Sequence, residues 1–357
     1  MIPVTKSFFP PIEDYQKQVQ RIWDNQWLTN NGKLYQELSQ KLIDYLGVHH
    51  IIPMTNGTMP LHIALNAFAD QGEVITTPFS YVATTAGIVW EKCTPVFVDI
   101  HPEYLTIDET KIEAAITNKT TAIVATHVYG NPCAVDEISA IAKKHNLKVI
   151  YDAAHCFGVK YKEQSIFNYG DISTCSFHAT KLFHTGEGGA LFCQDAKTRQ
   201  EMFYRHNFGH DGPEKYHGLG TNAKMSELQA AMGLSVLPYI EEIITKRKRV
   251  CTFYDEHLDF KNFSKLKLRE RTQWNYAYYP VIFKSESQLL EVKDRLEKEN
   301  INPRRYFYPS LEALPYIDSN KCSIAKDLAS RVLCLPLFIG LKQFELNKII
   351  RLVNKYI

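Results

Sequence analysis

Residues 49–69 read HHIIPMTNGTMPLHIALNAFA. HHIIPMT has the continuous apolar character of a buried strand, and MPLHIALNAFA reads as the helix that follows. Between them stand Thr55, Asn56, Gly57 and Thr58, residue types that turn a chain and start a helix. One strand–turn–helix unit is weak evidence, but the pattern recurs. EVITTP (73–78) is followed by the helical YVATTAGIVWE (81–91), and PVFVDI (95–100) is a further strand. TAIVATHV (121–128) and KVIYDAA (148–154) flank the helical AVDEISAIAKKHN (134–146). Apolar strands with helical crossovers, from about residue 35 to 195, predict an α/β fold whose mostly parallel sheet is covered on both faces. In such sheets ligands gather at the carboxyl ends of the strands.

Beyond this region, residues 225–250 (MSELQAAMGLSVLPYIEEIITKRKRV) predict a helix interrupted near Pro238 and then a long helix. The chain divides there into an N-terminal arm and large domain (1–238) and a smaller α+β domain (239–357). The smaller domain holds a strand in WNYAYYPVIF (274–283), an amphipathic helix over 286–299 and a closing helix near 343–355. With 357 residues the chain is long enough for two such cores.

The bulk numbers exclude several classes. Charged residues make up 22% and the net charge is +2, which argues against a nucleic-acid coat or a polybasic membrane surface. No stretch approaches the roughly 20 apolar residues of a membrane span, and the opening residues lack a secretory pattern. The expectation is a soluble cytoplasmic protein. None of the eight cysteines forms a CxxC pair, and most lie in apolar runs, as core thiols do. No clustered ligands predict a metal site.

Three places carry chemistry. The turn Asn56–Gly57–Thr58 sets backbone N–H groups and a hydroxyl at a helix N-terminus, a phosphate-binding arrangement; a simple N-cap uses the same residues. Asp152 ends the apolar strand of KVIYDAAHCFG, where a carboxylate is costly to bury unless it meets a positive group or caps a turn. His155 follows it as a ligand or a structural histidine. The third place is CSFHATKLFHTGEGG (175–189), where Lys181 stands between the β-like ISTCSF and the glycine turn TGEGGA. Neither GxxxxGK[ST] nor GxGxxG is present there. A small phosphorylated cofactor with a protonated ring nitrogen would use the phosphate-shaped turn, the carboxylate and the lysine together. Pyridoxal 5′-phosphate (PLP) has those three needs.

The sequence resembles the DegT/StrS family of sugar-nucleotide aminotransferases, PLP enzymes of fold type I. WLTNNGKLYQELSQKLIDYLGV, TNGTMPLHIAL, PFSYVAT, PVFVDI, YDAAHCFG, SFHATKLFHTGEGGAL, TNAKMSELQAAMGL and RVLCLPLF follow one another in the family's order. The resemblance implies a large domain with a seven-stranded, mostly parallel sheet. It assigns Lys181 as the lysine bonded to the cofactor's aldehyde, Asp152 to the pyridine nitrogen and His155 to the ring hydroxyl. Tyr81 would stack on the ring, and Gly57, Thr58 and Ser176 would hold the phosphate. Asn222 would reach the phosphate of a neighbouring subunit, which implies a homodimer with shared active sites. Lys224 stands where the family often has arginine, keeping the charge but losing the fork. Retention of Lys181 argues for transamination rather than dehydration, which family members with histidine there perform. FHATKLFHTGEGG is more like members that act at a sugar's C4 than at C3. The activity implied is amino transfer from L-glutamate to a nucleotide-linked 4-keto-6-deoxy sugar, dTDP-4-keto-6-deoxy-D-glucose first among them, for a cell-surface polysaccharide such as O-antigen. Substrate contacts are expected from His184, Arg304, Arg305 and Tyr306, with a solvated basic loop as the plainer reading of the arginines; His178, beside the lysine, is a further candidate, and a structural role is equally open to both histidines.

Overall fold

The computed structural model describes residues 1–318 and 322–355. Seven strands form the main sheet: β1 His50–Met54, β2 Glu73–Thr76, β3 Thr94–Phe97, β4 Thr120–Thr126, β5 Lys148–Asp152, β6 Ile172–Ser176 and β7 Gly189–Cys193. Their spatial order is β1-β7-β6-β5-β4-β2-β3. β6, β5, β4, β2 and β3 pair in parallel, whereas β7 runs antiparallel to both β6 and β1. That reversal follows from the connection. The loop between β6 and β7 contains no helix, and a parallel return needs a longer crossover.

Two helices precede the sheet, α1 Ile12–Asn25 and α2 Lys33–Leu46. The crossovers include α3 Met59–Phe68, α4 Val82–Trp90 and α5 Val135–His145; α6 Ala196–His206 follows β7. One apolar cluster on the sheet gathers α2 and α5 residues such as Leu38, Leu42 and Ile138 with Ile75, Ile123 and Val149. Another, with Leu61, Leu65, Val74 and Val124, lies against α3. Alternate residues of the same strands thus feed different cores, as a sheet buried on both faces requires.

The helix over 225–250 breaks as expected. Helix α7 (Glu227–Val236) ends in a tight turn at Leu237–Tyr239, and α8 (Ile240–His257) continues from it. A separate antiparallel sheet, β8 Phe263–Lys265, β9 Pro280–Phe283 and β10 Val332–Cys334, packs in its own apolar cluster with α9 Glu286–Lys298 and the last helix, Gln343–Lys355. The strand expected over 274–283 is confined to Pro280–Phe283. Residues 274–279 are irregular because side chains take up their backbone groups: Arg247 donates to the carbonyls of Tyr276 and Ala277, and Asn275 Oδ1 accepts from Ala277 N.

Helix α2 is fastened by a buried carboxylate. Glu227, 1% exposed, accepts the N–H groups of Leu34 and Tyr35 at 2.9 and 2.8 Å, two donors that the helix itself cannot satisfy. A Cβ on Gly32 would fall 2.4 Å from Glu227 Cδ, so only glycine admits the carboxylate there. Replacing Glu227 by alanine orphans both donors. Chemical denaturation should show a loss of about 2–3 kcal/mol, with Glu227→Gln milder because one acceptor oxygen remains.

Candidate active site

The turn after β1 is built by close backbone approach. A Cβ on Gly57 would lie 2.6 Å from Ser176 Cβ, and one on Gly189 would lie 2.4 Å from the carbonyl oxygen of Asn56. Glycine at both positions lets the β1–α3 turn settle onto the ends of β6 and β7. Asn56 is the cap of α3: its Oδ1 accepts from Thr58 N and Met59 N, both at 2.9 Å. The expected phosphate site is therefore modified. The first amides of the helix already have an acceptor, and the hydroxyls of Thr58 and Ser176 join Gly57 in lining the cavity beside the turn. Thr58 makes no capping bond of its own.

That cavity has a volume of about 270 Å³. It is lined by Gly57, Thr58, Tyr81, Asp152, His155, Ser176, His178, Lys181, Arg304 and Tyr306 among others, so most of the residues singled out in the sequence meet in one place. Three of them lie elsewhere. Arg305 pairs with Glu286 at 2.5 Å and donates to the Ser330 carbonyl at 2.7 Å, facing away from the cavity. His184 is buried, with Nε2 2.6 Å from the Phe8 carbonyl, in the structural role open to it. Asn222 is exposed on a loop that bridges to Asn207, away from this cavity.

Asp152 is 8% exposed, and no cationic side chain pairs with it among the described residues. Its charge is met by donors instead. Oδ1 accepts from Ala154 N at 3.1 Å, and Oδ2 accepts from Thr84 Oγ1 at 2.6 Å. Thr84 Oγ1 lies 2.8 Å from Ser80 Oγ, which lies 2.9 Å from Thr126 Oγ1. With Thr84's proton committed to the carboxylate, the chain of hydroxyls can only point from Thr126 through Ser80 and Thr84 to Asp152. This polarised row supplies the carboxylate with a hydrogen bond but no counter-charge.

His155 Nδ1 accepts the backbone N–H of Tyr129 at 3.0 Å, which leaves the ring proton on Nε2. Burial, aided by the charge of Lys181, pushes His155 well below the usual histidine range. It is a neutral donor at physiological pH. Its ring lies parallel to Phe307 (5.6 Å, 6°) and is tilted against Tyr278 (4.7 Å, 58°). Lys181 comes from the turn after β6, and its Nζ donates to Tyr278 Oη at 3.1 Å. Among the described residues no carboxylate pairs with Lys181. Tyr81 is 53% exposed at the cavity rim.

These residues fit PLP. A buried carboxylate lacking a cation suits a protonated ring nitrogen, and a lysine without a carboxylate partner suits an aldehyde. Neutral His155 offers one N–H, and the Gly57 cradle with two hydroxyls suits a phosphate. Sequence reading passed over Thr84, Ser80 and Thr126, which resemble ordinary hydroxyls in a helix, a turn and a strand end. It also passed over Phe307 and Tyr278, whose only signal was the aromatic density of WNYAYYP and RYFYP.

A mostly parallel α/β sheet with such a cavity at its strand ends defines a PLP enzyme of the transferase type. Residues 11–354 match the model of the DegT/DnrJ/EryC1/StrS aminotransferase family. The chain is 40% identical over 359 residues to a dTDP-4-amino-4,6-dideoxy-D-glucose transaminase of Shigella dysenteriae, covering 99% of this chain and 98% of that one. An Escherichia coli protein of the same name is 40% identical over 368 residues, with coverage of 99% and 98%. The crystal structure of DesI in the presence of its TDP-sugar product superposes with a TM-score of 0.93 at 32% identity, covering 99% of this chain and 92% of that one. The chain belongs to the DegT/DnrJ/EryC1/StrS aminotransferase family, whose aminotransferases depend on PLP.

The buried histidines set a pH dependence. His155 lies well below its ordinary 6.5, and burial lowers His127 to about 3 and His206 to about 4. The unfolded chain binds protons below pH 6.5 that the native histidines refuse. Stability is therefore retained above that pH and lost as pH falls from about 6.5 toward 4. Each histidine contributes at most about 1.4 kcal/mol per pH unit. Urea unfolding of His155→Gln across this range should show a slope shallower by one proton.

Proposed function

We propose that this aminotransferase carries an amino group from L-glutamate to C4 of a nucleotide-linked 4-keto-6-deoxy sugar, with dTDP-4-keto-6-deoxy-D-glucose as acceptor. One observation carries the reading: Lys181 and Asp152, each without an ionic partner among the described residues, line the same cavity in a chain with full-length identity to transaminases of that sugar.

When bound, PLP supplies an electron-withdrawing ring that makes a proton on the donor's α-carbon removable. The chain's residues do the rest. Asp152 accepts the N–H of the ring nitrogen and favours its protonated form. His155 Nε2–H donates to the ring's hydroxyl oxygen. Ser176, Thr58 and Gly57 would hold the phosphate, and Tyr81, exposed at the rim, would stack on the ring. Lys181 would hold the cofactor through its aldehyde. As a free amine it takes the α-proton and returns a proton to the neighbouring carbon, acting as base and then acid. Arg304 is exposed at the mouth of the cavity, its guanidinium 4.7 Å from the centre of the Tyr306 ring, where it can meet a diphosphate. The working form in this reading is a homodimer with shared sites, in which Asn222, exposed on its loop, would serve the second subunit's phosphate. The product is an activated glycosyl donor, suited to building a cell-surface polysaccharide such as O-antigen.

Incubation with dTDP-4-keto-6-deoxy-D-glucose and L-glutamate should yield a product whose NMR spectrum places nitrogen at C4. Nitrogen at C3, or no amino sugar, would refute the assignment. Lys181→Ala should lose turnover together with the borohydride-fixable bond to PLP.

A further inference from the structure

We propose that the hydroxyl of Tyr278 is a catalytic group of this enzyme and that buried Arg247 is the positioning residue that holds it in place. The proposal rests on the reading of Lys181 given above.

Tyr278 Oη is the partner of Lys181 Nζ, at 3.1 Å. The two residues come from different parts of the fold. Lys181 follows β6 of the main sheet, and Tyr278 lies in the irregular segment just before β9. Nothing in a strand ladder fixes that segment, since its backbone groups are bonded by side chains. Trp274 Nε1 donates to the Tyr129 carbonyl at 2.8 Å. Asn275, 1% exposed, donates to the carbonyls of His155 and Phe157 at 2.8 and 2.9 Å. Arg247, on α8, donates through Nε to the Tyr276 carbonyl at 2.8 Å and through Nη2 to the Ala277 carbonyl at 2.5 Å. Tyr276 itself has φ +55°, a left-handed backbone that a bulky residue keeps only where its surroundings impose it.

Arg247 is an unusual residue to bury. It is 6% exposed, and no carboxylate pairs with it among the described residues. Burial lowers it to about 10, so it still carries its charge at neutral pH. An apolar side chain would fill this space without the desolvation cost of a guanidinium. What an apolar residue cannot do is grip two successive carbonyls with a planar fork. The two carbonyls gripped are those of the residues immediately before Tyr278. Arg247 is thus spent on the backbone that aims the phenol at Lys181.

The hydrogen bond has a use in the reaction. Once the amino donor has displaced it, the lysine must wait with its lone pair toward the donor's α-carbon. Tyr278 Oη accepts one N–H of Nζ and so turns the lone pair into the cavity. The C–H bond of the donor breaks, its electron pair passes to the bound cofactor, and a new N–H forms on Lys181. The proton then returns to the neighbouring carbon of the cofactor as that electron pair re-forms a C–H bond. Nζ ends with the protons it began with, and Tyr278 keeps its own throughout.

The test uses the holoenzyme and its Tyr278→Phe and Arg247→Lys variants in stopped flow. Tyr278→Phe should keep its PLP content and thermal midpoint. Its half-reaction with L-glutamate should slow roughly 10- to 100-fold, the worth of a hydrogen bond to a charged or reacting group. Glutamate deuterated at the α-carbon should slow it further and by a larger ratio than in the wild type. Cofactor-free Tyr278→Phe mixed with PLP should form the Lys181 bond more slowly, to the same final occupancy. Arg247→Lys should reproduce the defects in milder form, and the double variant should be no slower than Tyr278→Phe alone. A Tyr278→Phe rate within about twofold of wild type, with an unchanged isotope effect, overturns the role of Tyr278. Multiplying effects in the double variant overturn that of Arg247. A wild type without a borohydride-fixable bond at Lys181 removes the underlying reading and the proposal with it.

Discussion

The site depends on one close approach of backbone to backbone. The turn at Asn56–Gly57 lies against the ends of β6 and β7, so tightly that a Cβ on Gly57 or Gly189 would fall inside van der Waals contact. β7 can occupy that place because it runs antiparallel, which puts Gly189 opposite both Met54 and Ser176. Ser176 thereby joins the hydroxyl set of the turn, and Lys181, five residues on, enters the same cavity. Gly189 is therefore part of the Asn56–Gly57 turn's packing as much as of the strand that follows the lysine's loop.

The electrostatics are arranged by what is withheld as well as by what is supplied. Asp152 receives hydroxyl and amide donors but no cation, Lys181 receives a phenol but no carboxylate, and His155 is kept neutral by burial and by its tautomer. Inside a low-dielectric cavity an ion pair between Asp152 and Lys181 would satisfy both groups and leave neither for a cofactor. The hydroxyl row from Thr126 keeps Asp152 soluble, so to speak, within the protein while preserving its appetite for a positive partner.

Much of this was legible in the sequence because it is local. The strands and crossovers show as apolar runs, and the strand-end position of Asp152 and the turn at Gly57 are set by neighbours in the chain. Arg304 and Arg305 mark the limit. On an extended backbone adjacent side chains point to opposite sides. Composition singles out both arginines, but only the bridge between Arg304 and Cys334 decides that Arg304 faces the cavity and Arg305 faces Glu286. Tyr278 stands beyond that limit altogether. It lies 97 residues from Lys181, in a run that resembles a strand, and its role depends on side chains that prevent the strand from forming.

The small C-terminal sheet also shapes the cavity at the strand ends of the large one. β9 and β10, with the segments bonded to them, bring Tyr278, Arg304 and Tyr306 to the cavity that Asp152 also lines. Helix α8 runs from the end of the large core to the small one and carries Arg247 between them. A cofactor held by the main sheet alone would have its ring nitrogen and phosphate fixed and its lysine free to swing. Tyr278, just before β9, takes a hydrogen bond from Nζ of Lys181 and so limits that swing. The parallel sheet thus supplies Asp152 and Lys181 to the cavity, and the segment leading into the second sheet supplies the phenol that meets Nζ.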